Sequence, residues 1–396
     1  MKRILHIFGP GLLIAATGVG AGDLATSALA GANIGYVAII AVFIGGVFKY
    51  FLNVGLARWQ FTTQSTLIEG AVQYYGKWAR YAFLIYLILW SFTVAVALMS
   101  AGGIALHSLI PLLYDAAQAK VIYGIGLSLV GLLMVRVGGF RFFERLMGIA
   151  VMLMLAAIFY AVFKLDIPFS SPVAFEARGN QWEWFAAVLG GVGGTVTVLC
   201  YGYWIREHNR EGEVGLKVSR IDLMMSYLIT VLLGISMVLV GSQIRLEGGG
   251  AGLLVKIAGV LESNAGSGAA WIFKTGAFAA IFSSLLGVWQ SVPYLFTDLL
   301  FHSGDRSGQE AINDSKIYRW FLYGLAIIPM LGLPFGFASI QKLYALTGAL
   351  FIPMLALTLI LLSRSINNAF RNSIWLNLVY GLILIFSVIM VLKVML

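Results

Sequence analysis

Eleven apolar stretches, most of them roughly 20 residues long, dictate what this chain is able to fold into. They run at about 9–31, 35–57, 81–109, 119–135, 147–164, 183–204, 222–243, 271–297, 319–336, 340–362 and 374–395. As helices they match a hydrocarbon core about 30 Å thick. None alternates with period two, which excludes the strands of a membrane barrel. Inside lipid a chain must satisfy its own backbone N–H and C=O groups, and a helix does so within each segment. An all-α integral membrane protein is therefore expected. Only 11% of the residues are charged, and mean hydropathy is +0.91. A soluble domain of this length carries about 25% charge.

The net charge of +9 follows from topology and implies no nucleic acid. With the N-terminus placed in the cytoplasm, seventeen Lys and Arg fall on the cytoplasmic side and eight on the other. The last, Lys49, lies inside the second span. The positive-inside bias gives a multi-pass protein of the cell membrane, N-terminus in and C-terminus out. The segment after Met1-Lys2-Arg3 carries no small-residue cleavage site and reads as a retained span. The one cysteine, Cys200, forms no internal disulfide and no multi-cysteine metal site. No soluble domain and no nucleophile–base pair or phosphate loop is visible, so an enzyme is not expected.

Glycine clusters interrupt two spans. Gly18-Val-Gly-Ala-Gly22 lies in the first, and Gly190-Gly-Val-Gly-Gly194 in the sixth. They occupy matching places if spans 1–5 and 6–10 form two halves, and five being odd, the halves run in opposite senses. The expected organisation is a first repeat over 1–164, a second over 165–362, and an eleventh helix over 363–396 in one transport domain. Several glycines together favour unwinding, which a membrane tolerates only where the backbone faces protein or a polar cavity. The freed carbonyls and half-helix ends then form an ion or substrate site. Close helix packing by small residues is the simpler use of the same glycines.

Asp23 follows the first cluster and is read as the one acid near mid-membrane. Glu183, Asp222 and Asp298 are placed at the ends of spans. A carboxylate at the bilayer centre costs on the order of 3 kcal/mol and is a functional candidate by default, although Asp also caps helices. Gly18, Gly20, Gly22, Gly194, Thr26, Thr195, Thr197, Ser283, Ser284 and Gln290 are the candidate oxygen or backbone donors around it, with Ser27 and Ser291 close by. Such oxygens suit hard cations, and Cys200 is the one soft candidate. For a metal, Asp23 and Thr197 are the candidate ligands. Arg206 and Glu207, after the sixth span, read as a solvated loop or as an inner gate. The glycine-rich outer segment 244–270 holds a possible short helix at Gly252–Leu261.

The stretch "GPGLLIAATGVGAGDLATSALAGANIGY", Gly9 to Tyr36, resembles the first helix of the Nramp family of divalent metal transporters. "KVSRIDLMMS" resembles that family's entry to its seventh helix, and "GAFAAIFSSLLG" its eighth. The resemblance covers most of the chain. It implies a LeuT-type fold, a 5+5 inverted repeat with broken helices 1 and 6 plus an eleventh helix, and alternating access with the site between helices 1 and 6. The family's Asp-Pro-Gly-Asn falls on Gly20-Ala21-Gly22-Asp23, so its metal-binding Asp is Gly20 here and its Asn is Asp23. Its Met-Pro-His of the sixth helix meets "GGTVTVLCYGY", where Thr197 to Cys200 occupy the region. Its acidic residue of the third helix has no counterpart in residues 81–109.

Two readings follow. In one, a divalent cation is moved through a non-standard site that lacks the soft ligand and favours a harder ion such as Mg²⁺. In the other, a small organic solute such as an amino acid is moved with Na⁺ or H⁺; the glycine-rich break also resembles that of amino-acid carriers of the same fold. A membrane sensor or scaffold is the third class. No cofactor is expected beyond the transported or coupling ion. The expected partners are the bilayer and a small ion or molecule, with no obligate protein partner evident.

Overall fold

A computed structural model describes Gly11, Leu13, Ile14, residues 17–113, 115–137, isolated positions between 149 and 163, and residues 181–208, 210, 212–244, 250, 252–301, 315–365 and 372–395. Among the described residues every regular element is a helix. A π-helical stretch, Val19–Thr26, runs into α1 (Ser27–Ile34). Then come α2 (Val37–Thr63), the short α3 (Leu67–Tyr75), α4 (Lys77–Leu109) and α5 (Ala116–Val137). The second half holds α6 (Gln181–Gly191), a 3₁₀ turn at Val196–Cys200, α7 (Tyr201–Glu207) and α8 (Gly212–Ser242). It continues through α9 (Leu253–Ala265), α10 (Ser267–Phe301), α11 (Lys316–Ile327) and α12 (Phe337–Ala349), and ends with α13 (Phe351–Ser365) and α14 (Ile374–Met395).

Eight helical stretches among the described residues are long and apolar enough to cross a membrane. The first span and the ninth bring the tally to ten; the ninth is α11 continued by a 3₁₀ turn, Ile328–Gly332. The expected fifth span, 147–164, lies mostly outside the described residues, and the outer segment expected at 165–182 lies outside them up to residue 180. Local sequence fixes several ends. Thr66 and Glu69 form a reciprocal capping box at α3, and Ser315 caps α11. The short outer helix expected at Gly252–Leu261 is α9. The seventh span begins not near Asp222 but ten residues earlier, at Gly212, which carries Asp222 about 15 Å further along the helix.

Burial separates the centre from the lipid face. The stretch from Trp184 to Ile205 is buried throughout, whereas α14 exposes Leu378, Leu382 and Ile385 to its surroundings. The π-helical stretch packs against α10, α8, α6 and α12; α6 packs against α12 and α2; α1 packs along α8. The two glycine-bearing spans thus cross at the centre of the bundle, on a scaffold of longer, continuous helices.

Candidate functional site

The two glycine clusters take different backbone forms. In the first span the chain does not fully unwind: it widens into a π-helix, and Ser27 N–H reaches back to Gly22 O. Such wide turns are frequent at functional positions. The sixth span is interrupted outright. After α6 come Gly193 at φ +72° and Gly194 at φ +77°, then Thr195 at φ −122°, ψ −105°. Only glycine adopts the first two freely. The carbonyls expected to be freed at both interruptions are therefore found chiefly at the second.

The interruptions touch through backbone. A Cβ added to Gly18 would come within 2.5 Å of Gly194 N, and one on Gly22 would overlap Gly191 O. Close packing, one of the two uses expected of these glycines, is thus present here and brings the two interruptions together. Gly20 N donates to Ser284 Oγ on α10 at 2.8 Å. A Cβ at Gly20 would lie 2.7 Å from both Cβ and Oγ of Ser284, so the place where the resemblance puts an acid is filled in this chain.

Asp23 is wholly buried at this crossing. Its Oδ1 accepts from Gly193 N at 2.8 Å, while Oδ2 has no hydrogen-bond partner among the described residues. Its charge is answered by Lys49 of α2, also buried, with which it interacts electrostatically. The Lys49 ammonium donates to Gly190 O at 2.6 Å and to Val192 O, two carbonyls at the end of α6. Asn53, one turn along α2, donates through Nδ2 to the Tyr227 hydroxyl, and its Oδ1 has no partner. Tyr227 OH in turn lies 3.5 Å from Gly193 O. Tyr344 of α12 completes the surround, beside Thr195 and within electrostatic reach of Asp23.

The candidates from sequence divide accordingly. Gly18, Gly20, Gly22, Asp23, Gly194 and Thr195 come together at the crossing, and buried Thr26 packs near Gly191. Ser284 reaches the crossing through Gly20, but Ser283 bonds Ala280 O of its own helix at 2.8 Å. Thr197 is buried on the 3₁₀ turn with its Oγ1 beside Gly194. The Cys200 thiol points to Ser291 O at 3.8 Å, and Gln290 lies on α10 where Tyr318 bonds its backbone carbonyl. Among the described residues no three of His, Cys, Asp and Glu gather as a metal cluster. Lys49, Asn53, Tyr227 and Tyr344 are the site residues that the candidate set from sequence lacked. A lysine inside a span needs a buried counter-charge, and Asp23 was the deep acid available; that pairing was the usable signal.

Asp222, expected at the inner end of the seventh span, is a second wholly buried acid. It accepts from Arg210 Nη1 at 2.8 Å, Gly11 N at 2.9 Å and Tyr201 OH at 3.4 Å. One carboxylate thus ties the start of the first span, α7, α8 and the segment between α7 and α8. Arg206, read from sequence as part of a solvated loop or an inner gate, is 41% exposed, donates to Gln64 O at 3.1 Å and lies 3.8 Å from Glu69. The Glu207 side chain lies outside the described residues. At the other end of α6, Lys342 pairs with Glu183, both about a third exposed.

A multi-span membrane protein whose two interrupted helices cross around a buried carboxylate has the architecture of a secondary transporter. The family model for natural resistance-associated macrophage protein-like (Nramp) sequences matches residues 11–396, so the chain belongs to the Nramp family of divalent metal transporters. The fold agrees. The Eremococcus coleocola manganese transporter, in complex with an aromatic bis-isothiourea substituted compound, superposes with a TM-score of 0.75 at 16% identity, over 99% of this chain and 86% of that one. A histidine-to-alanine mutant of the same transporter gives 0.75 at 15% identity over the same shares. MhsT in complex with L-phenylalanine gives 0.66 at 14% identity, over 98% and 97%. The fold is LeuT-type. No curated protein matches the chain by sequence.

Proposed function

We propose that this Nramp protein carries a divalent cation with a preference for oxygen ligands across the cell membrane by alternating access, with Asp23 as the charge that recognises it. The observation that carries the reading is the placement of Asp23: wholly buried, one carboxylate oxygen without a hydrogen bond, at the crossing of two interrupted helices. Family membership supplies the class of cargo. The donor set supports a harder ion than the family norm. Around Asp23 stand the Gly190 and Val192 carbonyls, Asn53 Oδ1 and the Tyr227 hydroxyl, all oxygen. The one thiol is turned onto a helix carbonyl. Oxygen donors suit Mg²⁺ and Mn²⁺, and a partly hydrated ion needs few of them.

The remaining assignments rest on this reading. Residues 1–164 and 165–362 are the inverted halves that rock against one another, with 363–396 as an added helix. The Asp222–Arg210 pair closes the cytoplasmic side and Glu183–Lys342 the outer side, in the N-in orientation that the basic residues favour. Thr197, Ser283, Gln290 and Cys200 act as helix-packing residues rather than ligands.

One observation favours a second reading. The Lys49 ammonium already stands in the carbonyl cluster, a charge that suits an organic solute with a carboxylate better than a dication. The deciding experiment is flux into liposomes holding the purified protein, with Mn²⁺, Mg²⁺ and a panel of amino acids as separate cargoes, each with and without Na⁺ and proton gradients. Divalent flux with no amino-acid flux is the expected result. Amino-acid flux without divalent flux overturns the cation reading in favour of the second.

A further inference from the structure

The carbonyls of an interrupted helix are the groups with which transporters of this architecture hold a cation. Here that place is taken. Lys49 is 3% exposed and spends two of its three N–H donors on Gly190 O and Val192 O, next to the Gly193 N–H that Asp23 accepts from, within electrostatic reach of that carboxylate. An ammonium on oxygen ligands beside a carboxylate is what a bound cation would look like, except that this one is attached to α2 by a flexible four-carbon stem. We propose that Lys49 is a tethered cation that stands in for the cargo: it fills the oxygen site and balances Asp23 while the carrier is empty, and the entering ion displaces it.

The geometry gives this a purpose. A carrier that closes empty must bury Asp23 without its ion, and an unpaired buried charge is strongly unfavourable. Lys49 supplies the missing counter-charge and donates to two carbonyls at the end of α6. The same side chain must then compete with the cargo, which lowers apparent affinity by the fraction of time that Lys49 holds the site. No proton needs to move. The ammonium swings from one set of oxygens to another and keeps its charge. Asn53, on the same face of α2, has Oδ1 free of hydrogen bonds among the described residues and offers the displaced ammonium one acceptor.

The inference rests on the divalent-cation reading and is tested beside it. Wild type, Lys49→Met and Lys49→Gln are purified, checked for monodispersity and compared in three measurements: Mn²⁺ binding by calorimetry, net Mn²⁺ uptake into empty liposomes, and exchange of internal for external Mn²⁺. Gln keeps an N–H₂ for the carbonyls without the charge, and serves where Met fails to fold. The expected result is Mn²⁺ binding tighter by about tenfold or more in both variants, with net uptake slowed and exchange retained, since only net uptake requires the empty carrier to return. Unchanged or weaker binding, or equal loss of net uptake and exchange in a well-folded variant, overturns the tethered-cation role while leaving divalent transport standing. Absence of binding and flux of both Mn²⁺ and Mg²⁺ in wild type removes the cargo reading itself, and this inference with it.

Discussion

Replacing Arg210 by Met is expected to unlatch one side of the carrier. Asp222 is 0% exposed, and Arg210, whose side chain is 6% exposed, is its ion-pair partner at 2.8 Å. Removing one member of such a buried pair costs about 3–5 kcal/mol. Gly11 N–H and the Tyr201 hydroxyl remain on the carboxylate and soften the loss. A state opened on that side lets water reach Asp222 and avoids most of the penalty. Taking about 2 kcal/mol as the difference felt between closed and open states gives a shift of about 30-fold in their ratio. The chain carries its own reporter. Cys200 is its single cysteine, is 1% exposed, and adjoins Tyr201 in the latch. Where opening and closing are fast, labelling by a thiol reagent follows the open fraction. Cys200 in Arg210→Met is thus expected to react about 30-fold faster than in wild type. Arg206→Met, at an exposed pair, is expected to change the rate by less than about fivefold. Equal rates in wild type and Arg210→Met, or an equal rise in both variants, refutes the latch.

Three further outcomes follow from the same structure. Gly194→Ala forces a side chain onto φ +77°, at a cost of about 1–2 kcal/mol, and brings its Cβ to 2.9 Å from Thr197 Oγ1; thermal unfolding of the purified variant should fall measurably and uptake should fail. Cys200→Ser should leave uptake within about twofold of wild type, because a hydroxyl also donates to the Ser291 carbonyl that the thiol now meets. Glu183→Gln should alter uptake by less than about fivefold, since a pair with side chains 27% and 32% exposed is screened.

Much of the architecture was legible because spans are written in hydropathy, and ten of the eleven expected stretches coincide with helix among the described residues. The crossing was legible because glycine clusters in two spans needed a common reason, and Gly18 with Gly194 and Gly22 with Gly191 supply it. The partners were not. Whether Ser283 or Ser284 faces the site depends on the rotation of α10, which an apolar sequence on all sides does not fix. The first ten residues of the seventh helix were hidden, since that helix starts within a polar stretch and hydropathy marks only its apolar part. The π-helical form of the first interruption was also hidden, since glycines permit unwinding and widening alike. Lys49 lay in plain view inside a span, but its distance from Asp23 in sequence concealed that both charges answer each other.

The central claim is that Asp23 recognises the transported cation, and Asp23→Asn tests it most directly. Asn keeps a carbonyl oxygen for the Gly193 N–H, so the crossing retains that bond while losing its charge. The measurement is initial uptake of Mn²⁺ and Mg²⁺ into liposomes by wild type and by Asp23→Asn at equal protein density. Divalent uptake by wild type that drops to the protein-free background in Asp23→Asn is the predicted result; uptake by Asp23→Asn at the wild-type rate contradicts it.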